Sequence, residues 1–203
     1  MGTFSYLGFV SQSRSGNVKK LKYVISHTID NRGRTPAFGD VGLPMLEVKQ
    51  IQDKKMYPST IFEKFVLKEI AIDFIRNELK SNDVLVATVG ATAGKCCVVP
   101  QDFNFFIAQN VIGFRANNFN EGKFLYYTFE SSYFKESLLS INKSNTIDNL
   151  KVSIFVNNDF LSPPLKEQQA IVSYLDHKTQ KIDQLIEIKE NKITLQRIVT
   201  GKP

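Results

Sequence analysis

Arg32 and Arg34 flank Gly33 in the run Asn31-Arg32-Gly33-Arg34-Thr35-Pro36. Glycine and proline this close together interrupt regular structure, so the run reads as a loop. Two guanidiniums on a flexible glycine suit phosphate oxygens or the acceptor edge of guanine. Gln109-Asn110 opens a β-rich run, Gln109 to Arg115. Such amides can pair bidentately with adenine, or can simply satisfy the backbone at a strand end. Gly90-Ala91-Thr92-Ala93-Gly94-Lys95 looks like a phosphate loop, but it has three residues between its glycines where that loop needs four. Cys96 also stands where Ser or Thr is needed, so a β-turn with Lys95 beside exposed backbone is expected instead of nucleotide hydrolysis.

Other residue types that carry chemistry are sparse. His27 and His177 are far apart and sit in neither a zinc-binding nor a nucleophile–base pattern. Cys96 and Cys97 are adjacent in an apolar run, which fits a reducing cytoplasm and lacks metal-ligand spacing. No carboxylate cluster stands apart from ordinary surface charge, so two-metal nuclease chemistry has no visible home. Net charge is +6 with a pI near 9.2, which favours a polyanionic partner. The excess is uneven: residues 1–40 carry six Lys/Arg against two Asp, whereas residues 81–160 carry six against seven acidic groups. A solvated basic face without a ligand is the other reading of that charge. Neither an N-terminal signal segment nor an apolar run of membrane-spanning length is visible.

These residues need a scaffold. Met1 to Gly16 is Ser/Gly-rich and reads as a loose leader or arm. Val18 to Ile29 has a short helical period with a basic opposite face, Leu43 to Ile51 reads as a strand, and Gln52-Asp53-Lys54-Lys55 as a turn. Phe65 to Leu79 is helical in period, and Val84 to Val89 is a strand bounded by Gly90. Gly122 to Leu139 is expected as one helix, Ser140 to Ile147 as a polar turn-prone loop, and Val152-Ile154-Val156 as the approach through a last strand.

The stretch 162–199 organises the rest. Ser162 can cap a helix, Pro163 and Pro164 are tolerated in a first turn, and Glu167 suits the positive end of the helix dipole. Ile171, Leu175, Ile182, Leu185, Ile186, Ile193 and Leu195 recur at helical steps, with no proline or glycine before Gly201. Roughly 35 residues could thus form one helix of about 50 Å. That exceeds what an ordinary surface helix covers, so it is expected to leave the globule and pair with another helix in a coiled-coil-like bundle. Lys178, Lys189 and Lys192 interrupt the seam, where lysine stems can lie along apolar surface. A long amphipathic helix packed on its own domain is the alternative.

Taken together, the motifs resemble half of a specificity (S) subunit of Type I restriction-modification systems. The matching marks are Lys20-Leu21-Lys22-Tyr23-Val24, Gly33-Arg34-Thr35-Pro36, Asp83-Val84-Leu85-Val86 leading to Gly90–Lys95, and Gln109-Asn110. The most specific is Pro163-Pro164-Leu165-Lys166-Glu167-Gln168-Gln169-Ala170-Ile171, with Leu175-Asp176, Ile182-Asp183 and Val199-Thr200-Gly201-Lys202 behind it. The resemblance implies an α+β protein: a mixed α/β target recognition domain over 1–161, then a spacer and dimerisation helix over 162–203. It further implies a non-catalytic subunit that reads one half of a bipartite site in double-stranded DNA. Methyltransferase (M) subunits dock on it and the restriction (R) subunit joins the assembly. S-adenosylmethionine, ATP and Mg belong to those partners, with no cofactor on this chain and no membrane. The expected DNA-binding residues are Lys19, Lys20, Lys54 and Lys55 on the phosphate side. Arg32, Arg34, Lys95, Gln109, Asn110, Lys143 and Asn145 are expected in groove-side loops, and Thr35 and Thr92 also among the DNA-binding residues. Ile171, Leu175, Ile182, Leu185, Ile186 and Ile193 would form the partner face.

Three departures from the family pattern bear on this reading. One repeat is present where two are usual, which fits a half-subunit that homodimerises or meets a second S half through 162–199, a truncated product, or one cassette of a larger locus. The loop at Asn142-Lys143-Ser144-Asn145 lacks the glycine common there, and the segment before Val199-Thr200-Gly201 is short. A different class of function also fits the helix: an interaction protein that captures a modification subunit without productive DNA recognition.

Overall fold

The computed structural model describes residues 17–31, 36–74, 78–142 and 150–200. The leader expected over Met1–Gly16 lies outside these residues.

The apolar run after Asn82-Asp83 forms β5 (Val84–Ala87), every residue of which is buried. It lies inside an antiparallel four-stranded sheet ordered β2-β8-β5-β6, with β2 at Ile25–Asp30, β6 at Cys96–Val98 and β8 at Val111–Ala116. A strand covered on both faces has no polar side, so it reads as a continuous apolar run. The two-residue period divides it: Val84 and Val86 join one core cluster, Leu85 and Ala87 the other. The same alternation sends Cys96 to the first cluster and Cys97 to the second, leaving two free buried thiols.

Helices cover one face. Gly122 to Leu139, expected as one helix, is broken into α2 (Gly122–Glu130) and α3 (Ser132–Asn142). The reason is Ser131, which is extended at φ −68°, ψ 144°. Its hydroxyl donates to the Thr128 carbonyl at 2.6 Å and accepts the Phe134 amide at 3.3 Å. A serine that satisfies the backbone this way competes with helix continuation. The bend lets Phe129, Phe134 and Phe155 meet at ring separations of 4.9–5.3 Å, with Phe114 stacked on Phe155 at 4.9 Å. Phe155 lies on α4 (Val152–Val156), so the expected alternation there is helical, and the last strand, β9, is Asp159–Ser162.

The N-terminal expectation is also corrected. Instead of a helix over 18–29, β1 (Asn17–Lys20) pairs antiparallel with β9, a 3-10 turn spans Leu21–Tyr23, and β2 follows. Leu21 and Val24 are buried as the helical pattern implied, but edges offered by β9 and β8 to a β-branched segment decide its backbone. Leu43–Leu46 forms β3, shorter than read, between β4 (Phe65–Val66) and β7 (Phe106–Ile107); α1 is Lys68–Phe74.

The final element, α5 (Leu165–Thr200), runs 36 residues. Its start differs from the expected cap. Ser162 belongs to β9 and its hydroxyl donates to Asn120 Oδ1, while the Pro164 carbonyl accepts the first amides, from Glu167 and Gln168. No helix among the described residues is long and apolar enough to cross a membrane.

Candidate nucleic-acid interface

Two of the chemistry-bearing runs share one end of the four-stranded sheet. Ala87, last in β5, lies opposite Val111, first in β8. Just beyond, the backbone amide and hydroxyl of Thr88 both donate to the Asn110 carbonyl at 3.0 Å. That carbonyl is therefore satisfied without help from either amide side chain. Gln109 and Asn110 are exposed, and among the described residues neither side chain has a hydrogen bond. The reading in which these amides are consumed by the local backbone does not describe this turn.

The β5–β6 connection sits beside it. Gly90–Thr92 makes a 3-10 turn rather than a simple β-turn, closed by Ala93 N to Gly90 O at 3.0 Å and Lys95 N to Thr92 O at 2.9 Å. Gly90 has φ +67° and Gly94 φ +87°, conformations that side chains rarely adopt. Thr92 donates its hydroxyl to the Val89 carbonyl at 3.1 Å, so it braces the turn. Lys95 is half-buried and makes no ion pair among the described residues.

The described flanks of the two remaining loops reach this end as well. Asp30 opposes Ile112, and Asn31 next to it is buried, donating to the Ile107 carbonyl at 3.1 Å. The Leu150 amide donates to the Thr88 carbonyl at 2.7 Å. Arg32, Arg34, Thr35, Lys143 and Asn145 themselves lie outside the described residues.

The four lysines expected on the phosphate side are elsewhere. Lys19 and Lys20 are in β1, and Lys20 ion-pairs with Asp159 at 2.7 Å. Lys54 takes φ +57° in the following turn region, and Lys55 reaches Asp183 of α5 at 3.3 Å. The Met56 carbonyl next to it accepts the Val98 amide, and Val98 opposes Val84, so this turn is at the other end of β5. Of the expected residues that are described, Thr92, Lys95, Gln109 and Asn110 lie at one end of β5, Lys54 and Lys55 at the other, and Lys19 and Lys20 in the separate β1–β9 pair. Exposed ion pairs contribute only about 0–1 kcal/mol, so Lys20 and Lys55 are held but not locked. Arg115 is committed more firmly: its guanidinium makes two 2.8 Å bonds to buried Asp83, and these hold its pKa above the ordinary arginine value.

The apolar set of α5 also divides. Ile171 is only 8% exposed and Leu175 is half-buried, both packed into the core of their own globule. Their expected place on a partner face is thus corrected: the first turns of the helix bury them at home. Ile182, Leu185, Ile186 and Ile193 are 46–59% exposed, and residues 177–196 are exposed throughout. The residue that joins helix to globule was not among the expected ones. Gln168 is fully buried; its Nε2 donates to the Pro163 carbonyl at 2.7 Å and to Asn120 Oδ1 at 3.0 Å, and its Oε1 accepts the Glu121 amide at 2.9 Å. The available signal was its place three, four and seven residues before Ile171, Val172 and Leu175, at the head of the buried stripe.

Among the described residues no group of three or more His, Cys, Asp or Glu side chains could hold a metal ion. Buried apolar surroundings push the Cys97 thiol up to about 12 and the Cys96 thiol well above its usual value, in the latter case with the Glu130 carboxylate adding to burial. Such thiols are poor nucleophiles. What the site offers is hydrogen-bonding amides and a cation on short, braced turns.

Comparison with known proteins gives the family and the fold. Residues 44–195 match the family described as the Type I restriction modification DNA specificity domain. A chain from a structure on complex assembly and conformational transition of the type I R-M system superposes with a TM-score of 0.65 at 22% identity, covering 91% of this chain and 44% of that one. The HsdS subunit from Thermoanaerobacter tengcongensis gives 0.64 at 17% identity, covering 88% and 45%. The Type I restriction-modification S subunit from M. genitalium gives 0.53 at 13% identity, covering 91% and 48%. At such identities the likeness concerns the fold, a mixed α/β globule with a long C-terminal helix. This chain spans a little under half the length of each. No curated protein sequence matches it. The family match extends over about three-quarters of the sequence and includes both sheet-end turns and most of the helix: the chain belongs to the Type I restriction modification DNA specificity domain family.

Proposed function

We propose that this chain is the sequence-reading part of a Type I restriction-modification complex, a non-catalytic subunit that recognises one half-site in duplex DNA and carries methyltransferase subunits on its long helix. The observation that carries the reading is a division of labour in space. Unspent polar side chains gather on braced turns at one end of the sheet, while the exposed part of α5 projects from the globule with its own apolar stripe. Gln109 and Asn110 supply donor–acceptor pairs suited to adenine, and Lys95 a cation for guanine or phosphate. Arg32, Arg34, Thr35, Lys143 and Asn145 are assigned to DNA contact as well, a reading supported by the described neighbours Asn31 and Leu150, which reach this end of the sheet. Lys19 and Lys54 act on the backbone side; Lys20 and Lys55 contribute less because each already has a carboxylate.

Ile182, Leu185, Ile186 and Ile193 form the face for a second helix, from another copy of this chain or from a second S half. Two copies related by a two-fold axis would read a symmetric bipartite site, because protein symmetry is mirrored in the DNA it binds. S-adenosylmethionine, ATP and Mg act on the modification and restriction partners, and no chemical step is assigned to this chain.

The test is selection of duplexes from a random-sequence library by the full chain, followed by titration of variants. Asn110→Ala should cost about 1–3 kcal/mol on the selected sequence and little on others. Lys95→Ala, if it contacts phosphate, should weaken all sequences and reduce the slope of log K against log salt by about one. Retention of a modification subunit with no sequence-selective binding by the wild type would favour the capture reading instead.

A further inference from the structure

Gln168 pins the base of α5, and Ile171, Val172 and Leu175 pack its first turns on the core, all within about two turns of one another. Two further attachments lie along its globule-facing side. Asp176 takes Lys123 Nζ on Oδ2 at 2.8 Å and the Tyr127 hydroxyl on Oδ1 at 2.6 Å. Lys123 and Tyr127 are four residues apart on α2, so both present to the same neighbour. Thr179, one turn further, is 3.4 Å from the Tyr127 hydroxyl. Burial works against the charge on Lys123, yet the bond and charge of Asp176 outweigh it and hold the ammonium above its ordinary value. Asp183, two turns beyond Asp176, meets Lys55 at 3.3 Å. Lys55 is on the turn whose Met56 carbonyl is bonded to the sheet edge at Val98, at 2.7 Å.

We infer that Asp176 and Asp183 are positioning residues that together fix the direction in which α5 leaves the globule. The two carboxylates are about 10 Å apart along the helix and are held by different elements, α2 and the sheet-edge turn. Two separated supports define an axis. Beyond Asp183 the residues through Gln196 are exposed, so an error in direction at these two supports grows along the helix. The helix from Asp183 to Thr200 is about 25 Å long, and a 20° swing displaces its tip by about 9 Å. That is more than two base-pair steps at about 3.4 Å each. If the chain reads a half-site as proposed above, these carboxylates set the gap between half-sites without touching DNA.

The experiment measures helix direction and gap preference separately. Spin labels on the full chain at Asp102→Cys and Lys192→Cys report the distance distribution across the joint, while buried Cys96 and Cys97 stay unlabelled. The wild type should give one narrow distribution, and Asp176→Ala with Asp183→Ala should at least double its width with helix content retained. The exchange Lys55→Asp with Asp183→Lys should restore the width that Asp183→Lys alone loses. A folded double variant with unchanged width overturns the inference, and so does an exchange that fails to restore it. Should the double alanine variant not fold, Asp183→Asn and Lys55→Ala singly must each still broaden the distribution. On duplexes selected by the wild type, the double variant should lose at least fivefold in preference for the selected gap, with single half-site affinity unchanged. Reduced half-site affinity with an unchanged gap preference would assign these residues to DNA and overturn the inference. A wild type that selects no sequence would sink the DNA reading, while the width still decides the joint.

Discussion

Replacing Gln168 tests whether the Pro-Pro-x-x-Glu-Gln run is a joint rather than a helix-start signal alone. The side chain is fully buried and makes three short hydrogen bonds, two as donor and one as acceptor. Methionine fills nearly the same volume but makes none of them. It leaves the Glu121 amide, the Pro163 carbonyl and Asn120 Oδ1 short of a partner in a desolvated place, at about 1–3 kcal/mol for each group that water cannot reach. Ser162 still bonds to Asn120 Oδ1, which softens that loss. We expect Gln168→Met to lose about 3 kcal/mol, or roughly 6–12 °C in melting temperature for a chain of this size. Gln168→Ala adds a cavity and should be worse. Urea denaturation followed by circular dichroism gives the free energy, and hydrogen exchange at the Glu121 amide shows whether the loss is local to the joint. Gln168→Met within about 0.5 kcal/mol of wild type, with Glu121 still protected, would refute the reasoning.

On the exposed part of α5, Ile182→Asp or Ile186→Asp should abolish self-association in light scattering while changing stability by less than about 0.5 kcal/mol. Leu175→Asp should instead lower the melting temperature, because Leu175 packs on its own globule. Gly42 has φ +125°, and a Cβ there would lie 2.2 Å from the Val66 carbonyl oxygen; Gly42→Ala should give little folded protein, and a cooperative melt near the wild-type temperature would contradict this. Cys96 and Cys97 should resist a thiol reagent at pH 8 until denaturant is added, since at a pKa of about 12 only about one Cys97 in ten thousand is ionised. The sign for stability follows: an unfolded cysteine titrates near 9.0 and the folded thiol higher, so the contribution is full below 9 and falls as pH rises toward 12. Alkaline denaturation monitored by circular dichroism checks it.

Some of this molecule was legible before any fold was known. The buried strand at Val84–Ala87, the turn at Gly90–Lys95 and the 36-residue helix each follow from local pattern: an apolar run between turn residues, glycines at the turn, and helical steps without a breaker. Their signals lie within a few residues of the feature they specify, and the family resemblance rested on those same stretches. Ser131 shows the limit even there, because a single hydroxyl bonding to Thr128 and Phe134 overrode a helical period that runs straight through it.

What needed the tertiary structure was everything settled between distant segments. Residues 18–29 carry a helical pattern but become strands because β9, some 140 residues later, pairs with 18–20 and β8 pairs with 25–29. Lys55 looks like a free surface cation until Asp183 is beside it, and Ile171 looks like a partner residue until the core is found beneath it. Thr88 answers the question posed by Asn110: by taking its carbonyl, it leaves the amide to face solvent. Periodicity records which face of an element is apolar; which surface covers that face depends on contacts that only the folded chain makes.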